Sequence, residues 1–347
     1  MGIGNSSEKY FDEIDWTALE ELAAEQGLSA VLVDGVEKLP DDKRPPKMVL
    51  LQWIGETLQG YEYRYEQYRK AIAEMTAFYK EHGFKMMVLK GYACALDWPK
   101  PEHRPCGDID IWQFGQQKAA DAALAASSMF QDSGSKIDYG HNVHTVFDWG
   151  DFMVENHYEF FDHKRYRSLS KLEQILEEMA DDSHSVEING EKVYVPSPNL
   201  HALFLIIHAL NHFASIGINL RQLLDWAFFV KAHTKEIDWE WLNELMEEYH
   251  MKDFVGCLNA ICVENLGFDA NIFNSVQFNP TLKDRVLQDI LNPEYNNDLP
   301  KNLIKRVIYK WKRWKANGWK YELCYNESRT SAFWHGVWNH LLKPKSI

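Results

Sequence analysis

The run Asp108-Ile109-Asp110-Ile111-Trp112 constrains this chain more than any other segment. Acidic and apolar residues alternate along it, and a period of two marks a strand with one buried face. Ile109 and Ile111 then face a core. Asp108 and Asp110 share the opposite side, about 7 Å apart by strand rise. Two carboxylates so close repel each other unless a cation lies between them. Oxygen ligands on a rigid strand suit Mg²⁺, which takes one or two carboxylates together with substrate phosphates.

This strand sits in an otherwise mainly helical sequence. Apolar residues at steps of three and four run through 15–25, with Asp15 in the capping position, and through 48–79 as one long helix or two. At Gly83 the period changes. Residues 84–89 form a short apolar run closed by Lys90-Gly91, 91–98 reads as a short helix, and 118–129 is an alanine-rich helix. Residues 144–149 and 152–159 flank Gly150-Asp151 as a hairpin. From Pro198 the helical period returns over 200–213, 220–233, 239–248, 254–266 and 301–319. The expected fold is α+β: a small mixed-sheet core at 81–165 between an N-terminal helical region (1–80) and a C-terminal helical domain (166–347).

The second hairpin strand supplies a third carboxylate. Glu155 lies mid-strand beside Val154, a costly place for a charge without a partner. If this strand neighbours 108–112, Glu155 completes a three-carboxylate site. His157, two residues on, shares its face.

Three stretches together carry a resemblance: Val88-Leu89-Lys90-Gly91, then Arg104-Pro105-Cys106-Gly107-Asp108-Ile109-Asp110-Ile111, then Val154-Glu155-Asn156-His157. The combination resembles the uncharacterised nucleotidyltransferase family of the DNA polymerase beta superfamily, and the similarity extends over most of the chain. The resemblance implies two-metal transfer of a nucleoside monophosphate from an NTP to an acceptor hydroxyl. Asp108 and Asp110 would hold Mg²⁺ (or Mn²⁺), and Glu155 would hold the ion that activates the acceptor. Lys90 and Arg104 would offset triphosphate charge, and Gly91 would let the backbone approach the phosphates. The chain departs from the superfamily in having Gly91-Tyr92 where Gly-Ser or Gly-Gly is usual, and in a longer spacing from that loop to Asp108. The departure motivates a rival reading: a catalytically impaired nucleotide-binding protein, or an antitoxin-like interaction protein, on the same fold.

The helical domain offers further groups. His208 and His212 are four apart and share one helix face. They have the spacing of a zinc pair, but no third ligand is evident. Arg221 and Asp225 read by default as an i,i+4 ion pair. A face carrying His208, His212 and Arg221 is expected to close the nucleotide pocket, because a small sheet cannot enclose a triphosphate alone. Segment 301–320 is basic, with no Asp or Glu, over apolar residues at helical spacing. It reads as an amphipathic helix packed on the domain, with RNA or an anionic membrane surface as the functional alternatives.

Composition limits the partners. The 347 residues carry a formal net charge of −14, which argues against a general nucleic-acid backbone binder, and no DNA partner is expected. Five cysteines without a Cys-x-x-Cys pair fit a reducing compartment, and a cytoplasmic location is expected. Met1-Gly2-Ile3-Gly4-Asn5-Ser6 matches the loose myristoylation pattern.

Overall fold

The computed structural model describes residues 14–164, 166–274, 276–295, 299–326 and 330. The myristoylation pattern therefore lies outside the described residues. Four helices lead in: α1 (Trp16–Glu25), α2 (Ser29–Glu37), α3 (Lys47–Thr57) and α4 (Tyr63–Glu81). Asp15 caps α1 by accepting the backbone N–H groups of Thr17 and Ala18, both at 3.1 Å. A single π-helical turn, Leu58–Glu62, joins α3 to α4, so the 48–79 periodicity is one helical path with an inserted bulge.

The middle of the chain builds the sheet. In order come β1 (Met87–Val88), α5 (Lys90–Ala95), β2 (Ile109–Trp112), α6 (Gln117–Ala126), α7 (Ser128–Ser133), β3 (His144–Trp149), β4 (Phe152–His157), α8 (Ser170–Met179), β5 (His184–Ile188) and β6 (Glu191–Val195). The expected helix at 118–129 is broken at Ser127, whose hydroxyl caps α7. The strands form one six-stranded mixed sheet in the order β3-β4-β2-β1-β6-β5. β4 lies parallel to β2, and their register pairs Asp110 with Glu155. The sheet thus takes β5 and β6 from beyond residue 165, where the core was expected to end. Asn189 and Gly190 form the tight turn between them, both with positive φ, 50° and 85°.

Helices follow to the end of the described chain: α9 (Pro198–Ser215), α10 (Leu220–His233), α11 (Trp239–Glu248), α12 (Lys252–Glu264), α13 (Pro280–Leu291), α14 (Leu303–Ala316) and α15 (Gly318–Cys324). Strand alternation divides the apolar interior in two. Met86, Val88, Ile109 and Ile111 pack on one side of the sheet with α4 and α6 residues such as Ile72 and Leu124. Met87 and Leu89 face the other side, into the core of the C-terminal helices. Asp108 and Asp110 therefore look toward those helices. Among the described residues no helix is long and apolar enough to cross a membrane. In the basic segment, Lys320 is buried and paired with Asp289 at 2.6 Å, while Val307, Ile308 and Trp311 of α14 are exposed rather than packed on the domain.

Candidate active site

A cavity of about 960 Å³ opens between the sheet and the C-terminal helices. Lys90, Asp108, Asp110 and Glu155 line its sheet side; His208, His212 and Arg221 line its helical side. The face expected to close the pocket and the three carboxylates are walls of one space.

The sheet supplies the carboxylates through register. Ligand oxygens of Asp108, Asp110 and Glu155 all lie within 4.8 Å of one another. Behind the sheet a buried polar network fixes β4: Asn156 donates to Asp121 at 2.8 Å, and Thr145 donates to the same carboxylate at 2.8 Å. Asn156 and Glu155 point to opposite faces, so anchoring one orients the other.

The charges inside the trio are unequal. Lys90 Nζ lies 2.6 Å from Asp110 Oδ1, and His157 Nε2 donates to the same oxygen at 3.0 Å. Burial alone would raise the Asp110 pKa, but Lys90 and His157 hold it well below the usual carboxylate range. Asp108 forms no ion pair among the described residues. Burial, and then the Asp110 charge, push its pKa up. Burial opposes the Glu155 charge as well, but His157, Lys90 and His144 together outweigh it and the pKa falls. His157 resists burial because the Asp110 carboxylate accepts from it and the Glu155 carboxylate lies 3.6 Å away, and its pKa rises to about 9. A partly desolvated carboxylate with no ion pair of its own, beside two more, has the donor chemistry that could hold a cation. The oxygen-only set fits Mg²⁺ or Mn²⁺.

Lys90 has φ +33°, a left-handed conformation rare outside glycine, and backbone held in this way clusters at functional sites. Gly91 meets a constraint unlike the expected one. A Cβ there would lie 2.5 Å from the Tyr68 hydroxyl, which donates to the Asp108 carbonyl at 2.7 Å. Gly91 thus admits Tyr68, which anchors the start of β2. Tyr92, the departure in the loop, is buried and stacks on Tyr65 with ring centroids 6.0 Å apart.

The two arginines have different situations. Arg104 lies within the cavity wall but is buried and committed to Asp225, with Nε and Nη2 donating to its two oxygens at 2.8 and 2.9 Å. Trp98 also donates to Asp225, at 2.9 Å. The expected Arg221–Asp225 pair is therefore not formed, because the buried, planar fork of Arg104 has taken both acceptors. The Arg221 guanidinium makes no hydrogen bond or ion pair among the described residues, and its stem packs 3.4 Å from where a Gly27 Cβ would sit. Burial, then the Arg104 charge, lower its pKa.

The His208 and His212 rings touch at a tilt, with centroids 4.3 Å apart and planes 51° to each other. Burial and then the His212 charge push His208 well below its ordinary pKa; burial and then the Lys90 charge bring His212 to about 4. Both are neutral hydrogen-bonding groups at the cavity, and among the described residues they join no third metal-ligating group. Sequence reading missed His144. Its Nδ1 lies 3.5 Å from Glu155 Oε2, and it pairs with His157 across the hairpin. Counting outward from the two-residue turn, with Trp149 opposite Phe152, leads to that pair.

The chain matches the sequence model of a family described as uncharacterised nucleotidyltransferases, over residues 12–267. No curated protein matches it. Among solved structures it is similar to an antigenic nucleotidyltransferase-like protein from Paracoccidioides brasiliensis, at 17% identity and a TM-score of 0.33 over 47% of this chain and 75% of that one. It is also similar to the antibiotic-resistance factor ANT(2'')-Ia, at 13% identity and a TM-score of 0.34 over 48% of this chain and 84% of that one.

Proposed function

The chain belongs to the uncharacterised nucleotidyltransferase family, and from that premise we propose that it moves a nucleoside monophosphate from an NTP to an acceptor hydroxyl. The observation that carries this reading is the carboxylate trio, with its oxygens within 4.8 Å of one another at the wall of a cavity. Asp108, Asp110 and Glu155 would hold Mg²⁺ or Mn²⁺; when bound, such ions neutralise phosphate charge and lower the pKa of the attacking hydroxyl. The protein's own share is positioning. Lys90 and Arg221 offer cationic donors to the triphosphate from opposite walls. Neutral His208 and His212 can donate to phosphate or to the acceptor without adding charge. His157 holds the Asp110 carboxylate in place, and Arg104 acts through Asp225 on the wall rather than on the nucleotide. Groups on both walls would surround the reacting phosphate, where fixed donors are worth more than in open water.

The test is a screen of the four NTPs against small-molecule, RNA and protein acceptors, with Mg²⁺ or Mn²⁺ and labelled phosphate. Pyrophosphate release that needs metal and one acceptor class, and is lost in Asp108→Asn with Asp110→Asn, is the expected result. NTP binding without pyrophosphate release in any arm would instead favour the binding or antitoxin-like reading.

A further inference from the structure

Glu155 has a second set of neighbours that the carboxylate trio leaves unused. Its Oε2 lies 3.5 Å from His144 Nδ1 and 3.6 Å from His157 Nε2. One ligand atom from each of the three residues falls within 4.8 Å of the others. We propose that His144, Glu155 and His157 form a site for a divalent transition-metal ion, adjoining the Asp108–Asp110 pair and sharing Glu155 with it.

Three observations point the same way. The first is preorganisation. His144 and His157 face each other across the β3–β4 ladder, so two ligands come from directly opposed backbone positions and the third from a residue two away on β4. Spacings of 3.5 and 3.6 Å between donor atoms are those of ligands about 2.1 Å from a common ion. The second is ring orientation. His157 Nδ1 donates to the Glu159 carbonyl at 3.1 Å, which turns Nε2 into the site. A backbone carbonyl on the far ring nitrogen is the usual support of a metal-binding histidine. His141 packs against His144 at a tilt, with centroids 4.9 Å apart. The third is an unspent donor. His144 Nδ1 is buried without a hydrogen-bond partner, a costly arrangement that coordination would relieve.

The donor set decides the kind of ion. Two imidazoles and one carboxylate suit Mn²⁺, Fe²⁺, Co²⁺ or Zn²⁺, whereas Mg²⁺ prefers oxygen alone. Three protein ligands also leave room for water or substrate. An ion there would replace the hydrogen bond from His157 Nε2 to Asp110 Oδ1, now 3.0 Å, and free that oxygen for the oxygen-only trio. The proposal shares Glu155 with the nucleotide reading but does not require turnover.

Chelator-treated full-length protein is titrated with Co²⁺ and separately with Mg²⁺, without nucleotide. One Co²⁺ per chain is expected, with a visible ligand-field band and affinity about tenfold or more above that for Mg²⁺. His144→Ala should weaken Co²⁺ binding by about tenfold or more and change the band, while Asp108→Asn keeps both. His144→Gln, which keeps a polar group of similar reach, serves as the second variant if the alanine protein does not fold. Unchanged Co²⁺ binding in a folded His144 variant would overturn the proposal by placing the ion on the oxygen trio. Loss of binding in Asp108→Asn alone would do the same. The nucleotide reading fails separately, by absence of Mg²⁺-dependent NTP turnover with the Co²⁺ results intact.

Discussion

Glu173 of α8 is a buried carboxylate that takes two backbone N–H groups, from Phe160 at 2.6 Å and Phe161 at 3.2 Å. These bonds hold the loop after β4, where Phe160 and Phe161 line the cavity. Burial dominates its titration and raises the pKa from 4.5 to about 8. A raised carboxyl pKa means that the folded state binds the proton more tightly than the unfolded chain. Stability from this group is therefore full below pH 4.5 and is lost as pH rises through about 8. Glu173→Gln should flatten the stability–pH curve over that window, with the largest gain relative to wild type at its alkaline end. Thermal melts at pH 5, 7 and 9 check this, and parallel curves for the two proteins would contradict it. At this scale the three carboxylates were legible because strand alternation exposes a charge that has no apolar excuse. The pairing of Arg104 with Asp225 was not legible because the partner lies 121 residues away, and no local pattern foretells a buried pair at that range.

Helices and strands were legible wherever period and caps agreed, as at Asp15 and in the hairpin around Gly150-Asp151. The β5–β6 hairpin was passed over although Asn189-Gly190 is a two-residue turn signal. Its strands are short and rich in charge, and β5 stands at the sheet edge, so neither shows a clean apolar alternation. One element junction makes a sharp prediction. Gly91 is needed where α5 passes beneath Tyr68, with 2.5 Å between a built Cβ and the hydroxyl. Gly91→Ala should displace Tyr68, release the Asp108 carbonyl and cost about 1–3 kcal/mol by overpacking. Tyr68→Phe removes the offending oxygen along with one hydrogen bond. The double variant should therefore be more stable than Gly91→Ala alone, a non-additivity that chemical denaturation of the four proteins measures. If phosphate approach were the only reason for Gly91, the single variant would melt like wild type and lose only nucleotide affinity.

The whole molecule is held around its cavity by contacts that cross from one region to another. Gln26, at the end of α1, accepts the Leu220 N–H at 2.8 Å and donates to the Ile290 carbonyl at 3.0 Å, tying the N-terminal helices to α10 and α13. Arg104 ties the loop before β2 to α10 through Asp225. These ties set Arg221, on the first turn of α10, opposite the carboxylate strand. The two arginines should then fail in opposite ways. Arg104→Ala leaves Asp225 buried and uncompensated, and breaking a pair of this kind costs about 3–5 kcal/mol. Its melting temperature should fall steeply. Arg104→Met with Asp225→Leu should recover much of the loss, because apolar residues of similar volume can replace a buried pair. The recovery stops short of wild type since Trp98 also donates to Asp225. Arg221→Ala removes a cation that pairs with no acid among the described residues, so it should leave the melting temperature nearly unchanged. It should instead weaken NTP binding by about 1.5–3 kcal/mol, the worth of a hydrogen bond to a charged group. Calorimetric NTP titration beside thermal melts of all three variants separates these effects. Equal losses of stability in the two alanine variants, or NTP affinity untouched by Arg221→Ala, would mean that the helical wall encloses the cavity without reading the phosphates.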